Sequence, residues 1–395
     1  MRPKDLAPPF AAPLFKLAGA SIVCEDETIE SGELWVGGEQ VVKITSTTSS
    51  SSDLVPTIDC RGKILVPGLV DIHQHVTGGG GEKGWGSRCP EASVFELAEA
   101  GITTFCGVLG TDSVSRTLEN LLAKVRGLAE SGLTGFMYTG AYRLPPPTLC
   151  GSTLRDVMLI PEVIGIGEVA IADHRGSQPT VLELARYASE ARVGGMLSDK
   201  AGVTYCHMGA HKEGIKLLKD LVEQTAIPIS NIVPTHMDRN PQLIREGKEW
   251  LRLGGHIDFS GNPDEAVTAI LDYRQKLSRE ELGRVCISSD GYGSLPVFDE
   301  QGKLVSYTYG KPDVLWKAVK NMVQQHNLPL ALAVTFVTDN PARAMHLDKK
   351  KGTLRVGKDA DLLVVDSRTL EIECVIARGR VLKAPGWTAR GMFEK

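Results

Sequence analysis

A chain of 395 residues is long enough to bury one large core and still build a small accessory domain. Its 44 Lys+Arg against 48 Asp+Glu leave a formal net charge of −4, so composition points to neither nucleic acid nor an anionic membrane as partner. No apolar run approaches the ~20 residues that a bilayer crossing requires.

The apolar stretch at the amino terminus superficially suggests a secretory leader, but Pro8, Pro9, Pro13 and Lys16 interrupt it, and residues 15–23 read better as a strand. Short β-like runs lie at 14–24, 32–36, 40–44 and 57–60. Between the last two, residues 45–53 (TSTTSSSSD) are too polar to pack and read as a flexible hairpin tip or loop. The middle of the chain alternates strand and helix. Strands are predicted at 64–72, 102–109, 135–139, 165–171, 203–206, 232–234, 256–259 and 285–288. The intervening patterns are helical: Leu118, Leu121, Leu122, Val125 and Leu128 recur at three and four residues and make one apolar face. The tail returns to short strands at 352–356, 360–365 and 372–376, then a turn at Arg378-Gly379-Arg380 before Val381-Leu382.

Two β-rich ends around an alternating middle predict a small β-sandwich-like domain from residues 1–66 and 350–395, and an α/β domain over 67–349. Eight strands with interposed helices fit a (β/α)8 TIM barrel, with a doubly wound open sheet as the competing topology. The eight cysteines are scattered without a CxxC, which suits a reducing cytosol and a cytoplasmic protein.

Where the polar residues fall separates the two topologies. His73 and His75, at spacing two on a strand, point to the same face and can converge on one cation. The fourth predicted strand carries Glu168, the fifth ends in His207, the sixth in His236 and the eighth in Asp290. Read singly, a histidine at a strand end is as readily a core or cap residue, and Asp290-Gly291 is a turn dipeptide. Together the six meet only if the strands close into a barrel whose carboxyl ends ring one mouth.

The ordering HxH, carboxylate, His, His, Asp resembles the amidohydrolase superfamily, and within it the isoaspartyl (β-aspartyl) dipeptidases. The resemblance spans nearly the full chain. It rests on PGLVDIHQHVTGGGGE, GVLGTD, TGAYR, ADHRG, HMG, PTHMDRN, SSDGYGS and the closing GTLRVGKDADLLVVD. It implies a two-zinc centre with a bridging hydroxide that attacks β-aspartyl dipeptides. By position, His73, His75 and Asp290 would hold one zinc, and His207 and His236 the other. Asp290 would be the general base and acid, and Tyr142 would stabilise the oxyanion. Glu82 matches the partner of the substrate ammonium, with Gly80 and Thr111 beside it. Arg175, Arg239 and Ser294 match the carboxylate-binding set. The resemblance also implies a homo-oligomer.

One position departs from the family pattern. Where the family carries a carboxylated lysine bridging both metals, this chain has Glu168, and no lysine lies between Arg155 and Asp199. Glutamate offers the same two oxygens, but its carboxyl carbon lies three atoms nearer the backbone, roughly 4 Å less reach. Either the metals sit nearer this strand, the strand moves inward, or one metal is held loosely; Gly165 and Gly167 would allow the backbone to bulge. A glutamate-bridged zinc pair is therefore expected. The alternatives are another amide or cyclic-amide hydrolase resembling dihydroorotase or dihydropyrimidinase, a plain α-dipeptidase, or a metal-free assembly protein.

Overall fold

The computed structural model describes residues 13–24, 27–46, 55–298 and 304–394. The leader-like stretch before Pro13 and most of the polar tract, residues 47–53, lie outside the described residues.

Six strands, Leu69–Gln74, Ile102–Gly107, Thr134–Thr139, Val163–Ile171, Val203–Met208 and Ile232–Thr235, form one parallel sheet in chain order. Ile257–Ser260 and Val285–Ser288 pair parallel beside it. Two links complete the ring. The Met237 N–H donates to the Asp258 carbonyl (3.1 Å), and the His75 N–H donates to the Gly291 carbonyl (2.9 Å) beside a parallel bridge between Gln74 and Gly291. Strand order never reverses, so the doubly wound alternative is excluded and the fold is a (β/α)8 barrel. Seven of the eight strands are buried along their whole length, as expected where helices cover the outer face and side chains fill the inner one. The helix predicted from the Leu118 pattern spans Leu118–Glu130, with the Thr117 hydroxyl capping the Asn120 N–H and Leu118, Leu121, Val125 and Leu128 buried.

The run predicted as one strand over 64–72 is two. Lys63–Pro67 belongs to the terminal sheet, where it pairs with Leu362–Asp366, and Leu69–Gln74 opens the barrel. Gly68 makes the switch, because a Cβ there would lie 2.3 Å from the Thr103 hydroxyl. The terminal domain is built from both ends of the chain as one nine-stranded sheet, running from Trp387–Thr388 through Leu362–Asp366 and Lys63–Pro67 to Leu14–Val23 and Gln40–Thr45. It surrounds its own core of Phe15, Leu17, Ile22, Leu34, Val36, Leu362 and Val364 among others. A strand predicted at 352–356 does not form; only Leu354 bridges, to Cys24. Arg378 and Gly379 both have positive φ (46° and 71°) and make a two-residue turn between Ile372–Ala377 and Arg380–Ala384, so Arg380, predicted in the turn, opens the strand instead.

Candidate active site

The carboxyl ends of the barrel strands bring the six predicted ligand residues together around Glu168. Oε2 of Glu168 lies 2.9 Å from His73 Nε2 and 3.6 Å from His75 Nε2, both on the first strand's end. Oε1 lies 2.5 Å from His207 Nδ1 and 3.4 Å from His236 Nε2. Each oxygen thus faces one histidine pair. Oδ1 of Asp290 sits 3.5 Å from His73 Nε2 and 3.2 Å from His75 Nε2, completing the first group. Within the trio His73–His75–Glu168, and within Glu168–His207–His236, the ligand atoms all lie within 4.8 Å of one another. Buried imidazole nitrogens and carboxylate oxygens at this spacing suit divalent cations of the zinc type.

Backbone conformation delivers these groups. Along the strand Val163–Ile171, pairing with Val203–Met208 advances three residues against two between Ile166 and Val169, so this strand bulges at Gly167–Glu168. The Gly167–Glu168 peptide is cis. Close contact makes both glycines necessary: a Cβ on Gly165 would lie 2.3 Å from the Val203 carbonyl, and one on Gly167 2.8 Å from Tyr205 Cβ. The short Glu168 side chain reaches both histidine pairs from this bulged strand. His236 and Asp290 each sit in the left-handed region (φ 60° and 47°), an uncommon conformation for residues with a Cβ and one concentrated at functional sites.

Charge within the centre follows from burial and proximity. Burial opposes ionisation of Glu168, but His73, His207 and His236 around it hold its carboxyl well below the usual carboxylate range. Burial likewise opposes the charge on Asp290, and His73, His75 and His236 outweigh it, holding the carboxyl down at about 2. Burial opposes a proton on His73, yet Glu168 and Asp290 lift it to about 10. Burial and Arg239 push His236 the other way, well below its ordinary value. Without a cation, Glu168 and Asp290 thus favour a proton on His73.

Above the centre opens a cavity of about 1160 Å³ lined by Gly80, Glu82, Thr111, Arg175, Arg239 and Ser294, every predicted substrate residue, together with Tyr142, His75, His207, His236 and Asp290. The Thr111 hydroxyl donates to Glu82 Oε1 (3.3 Å), which also lies 3.4 Å from Arg175 Nη1. Tyr142 is buried with its hydroxyl 2.9 Å from His207 Nδ1 and its ring beneath the Arg175 guanidinium. Burial and the nearby Glu168 raise its phenol well above the ordinary value, so it remains a proton donor at neutral pH. Arg239 Nη1 donates to the Met208 carbonyl (2.7 Å) and lies 3.2 Å from His207 Nε2.

Four supporting groups escaped the sequence analysis. Asp173 grips Arg175 through two contacts (3.0 and 2.8 Å) and lies 3.2 Å from His207 Nε2. Asp71 accepts from the His73 and Ser289 N–H groups and from Gln74 Nε2, tying the first strand to the eighth. On the seventh strand, Asp258 stands behind His73 through Thr235, and Ser260 touches His236 Nδ1 directly. A signal existed for Asp258: a carboxylate within the apolar run Ile257–Ser260, facing inward in a buried strand.

Residues 64–382 match the amidohydrolase family. The β-aspartyl dipeptidase of the keratin-degrading Fervidobacterium islandicum AW-1, solved with a β-Asp-Leu dipeptide, is 40% identical, with a TM-score of 0.89 over 96% of this chain and 100% of that one. A second structure of the β-aspartyl dipeptidase from that organism is 38% identical at a TM-score of 0.87. A dihydroorotase of Bacillus cytotoxicus is 22% identical over 93% of this chain and 92% of its own length. Among the described residues, no helix is long and apolar enough to cross a membrane. The chain belongs to the amidohydrolase family of hydrolases and, within it, to the group of the β-aspartyl dipeptidases.

Proposed function

We propose that this protein hydrolyses β-aspartyl dipeptides with two zinc ions bridged by Glu168. The observation that carries this is the division of one buried carboxylate between two histidine pairs, beneath a cavity whose lining includes Glu82, Arg175 and Arg239. His73, His75 and Asp290 would hold one ion, and His207 and His236 the other, with Glu168 shared. Bound there, the ions would polarise the scissile carbonyl and lower the pKa of water so that it attacks at neutral pH.

The protein's own groups supply the rest. Asp290, held as a carboxylate, accepts the proton of the attacking water and returns it to the departing amine. Tyr142, held as a phenol, donates to the oxygen on which negative charge develops. Glu82, in reach of Thr111 beside Gly80, pairs with the substrate ammonium. Arg175, Arg239 and Ser294 take its carboxylates. The set suits an aspartyl unit joined through its side chain, which leaves both its ammonium and its α-carboxylate free. The protein is proposed to work in the cytoplasm as a homo-oligomer.

Comparing turnover of β-Asp-Leu, α-Asp-Leu and dihydroorotate, before and after chelation and zinc restoration, tests this directly. Turnover of the β-linked peptide alone, lost on chelation and regained with zinc, is expected. Preference for dihydroorotate would move the protein to the cyclic-amide hydrolases, and preference for the α-linked peptide to the ordinary dipeptidases.

A further inference from the structure

Beside the metal centre runs a chain of hydroxyl groups that the chemistry above does not use. We propose that Asp258 is a positioning residue which, through Thr235 and Ser260, fixes the orientation of His73 and His236, one histidine from each trio.

Asp258 is wholly buried in the barrel interior, and its Oδ2 takes three hydroxyls: Tyr205 at 2.7 Å, Thr235 at 2.7 Å and Ser288 at 2.5 Å. Its Oδ1 has no hydrogen-bond partner among the described residues. A carboxylate buried with one oxygen unsatisfied is an unfavourable way to stabilise a core, so a role beyond packing is implicated. The direction of the chain follows from proton counting. A carboxylate only accepts, and a hydroxyl has one proton to give. Thr235 spends its proton on Asp258 and can therefore only accept from its other neighbours, His73 Nδ1 at 3.4 Å and Ser260 Oγ at 3.3 Å. In the proposed chain Ser260 gives its proton to Thr235 and accepts from His236 Nδ1, 2.5 Å away. Both imidazoles consequently carry Nδ1–H and turn Nε2 forward. Those Nε2 atoms are the ones that face Glu168, at 2.9 Å from His73 and 3.4 Å from His236.

A single anion on the seventh strand, which supplies no ligand itself, thus sets the tautomer and ring plane on both sides of the centre. Groups that accept the second N–H of a ligating histidine fix its geometry and raise its basicity, and losing one weakens metal binding about 10- to 100-fold. This inference rests on the two trios being the metal ligands.

The test pairs Thr235→Val, which keeps shape and loses the hydroxyl, with Thr235→Ser, which keeps the hydroxyl, and adds Asp258→Asn. Zinc affinity is read by competition with a chelator, ligand geometry by the visible spectrum of the cobalt-substituted protein, and folding by the melting curve of the metal-free protein. Thr235→Val is expected to weaken zinc binding about 10- to 100-fold and alter the cobalt spectrum, with Thr235→Ser close to the unaltered chain. Asp258→Asn is expected to follow Thr235→Val. Zinc binding by Thr235→Val equal to that of the unaltered chain, or Thr235→Ser failing as badly as Thr235→Val, would overturn the proposal. These readouts do not depend on peptide cleavage. An unaltered chain that binds zinc and ignores β-Asp-Leu would refute the substrate assignment while leaving the positioning role standing.

Discussion

The terminal sheet and the barrel mouth both bury charge, but in opposite ways. In the sheet, Lys16 and Glu33 are almost fully buried and meet at 2.9 Å. Where the sheet's last strands meet the barrel, buried Lys351 lies 2.7 Å from Asp361 and 2.8 Å from Asp359. Each cation there has its anion. At the mouth, Glu168 and Asp290 face four imidazoles, and no lysine or arginine reaches Glu168 within ion-pair distance among the described residues. Burying a charge is costly unless it is paired or bound to metal. These ion pairs of the terminal sheet are closed within the polypeptide, whereas the barrel mouth is arranged for cations that the polypeptide does not itself supply.

Substitutions on either side should separate these two kinds of burial. Glu168→Ala is expected to abolish β-Asp-Leu turnover and release zinc while the chain remains folded, as judged by circular dichroism; unchanged turnover would show that Glu168 is no ligand. Tyr142→Phe should lower kcat about 10²- to 10³-fold, with zinc content unchanged, because it removes one donor to the developing oxyanion. An equal loss of zinc would make Tyr142 a structural prop instead. Arg239→Met should raise KM about tenfold or more through loss of a charge-assisted contact, with a smaller change in kcat. Lys16→Met, in the terminal sheet, should leave kcat/KM untouched but destabilise the fold by up to about 3–5 kcal/mol, since the buried Glu33 would lose its 2.9 Å ion pair. Denaturant titration beside an activity assay checks both halves of that prediction.

A smaller effect concerns protons. In the metal-free centre Glu168 and Asp290 raise His73 to about 10, so at neutral pH it holds a proton that zinc must expel. Zinc affinity should therefore rise with pH, by about tenfold per unit for each proton displaced, until His73 titrates. Calorimetry in two buffers of different ionisation enthalpy would register the release. A binding heat independent of buffer would contradict it.

Much of this was legible in the chain. His73 and His75 announce themselves by spacing, and the strand-end positions of His207, His236 and Asp290 point to the barrel because only closure gathers them. Three things were not legible. Gly68 breaks the apolar run 64–72 into strands of two different sheets, a tertiary decision invisible to local hydrophobicity. The bulge that Gly165 and Gly167 allow could not be told from shifted metals or a loosely held one until the partner strand was seen. Asp71, Asp173 and Asp258 act through other side chains. Their roles emerge only once distances are known, although a carboxylate in the apolar run Ile257–Ser260 was a sign that something there needed an anion.

The bridge itself is the claim on which the comparison turns, and zinc per chain measures it. Elemental analysis of purified protein at full β-Asp-Leu turnover should find two zinc ions per polypeptide, both lost from Glu168→Ala. One ion or fewer in fully active protein would contradict a carboxylate shared between two metals.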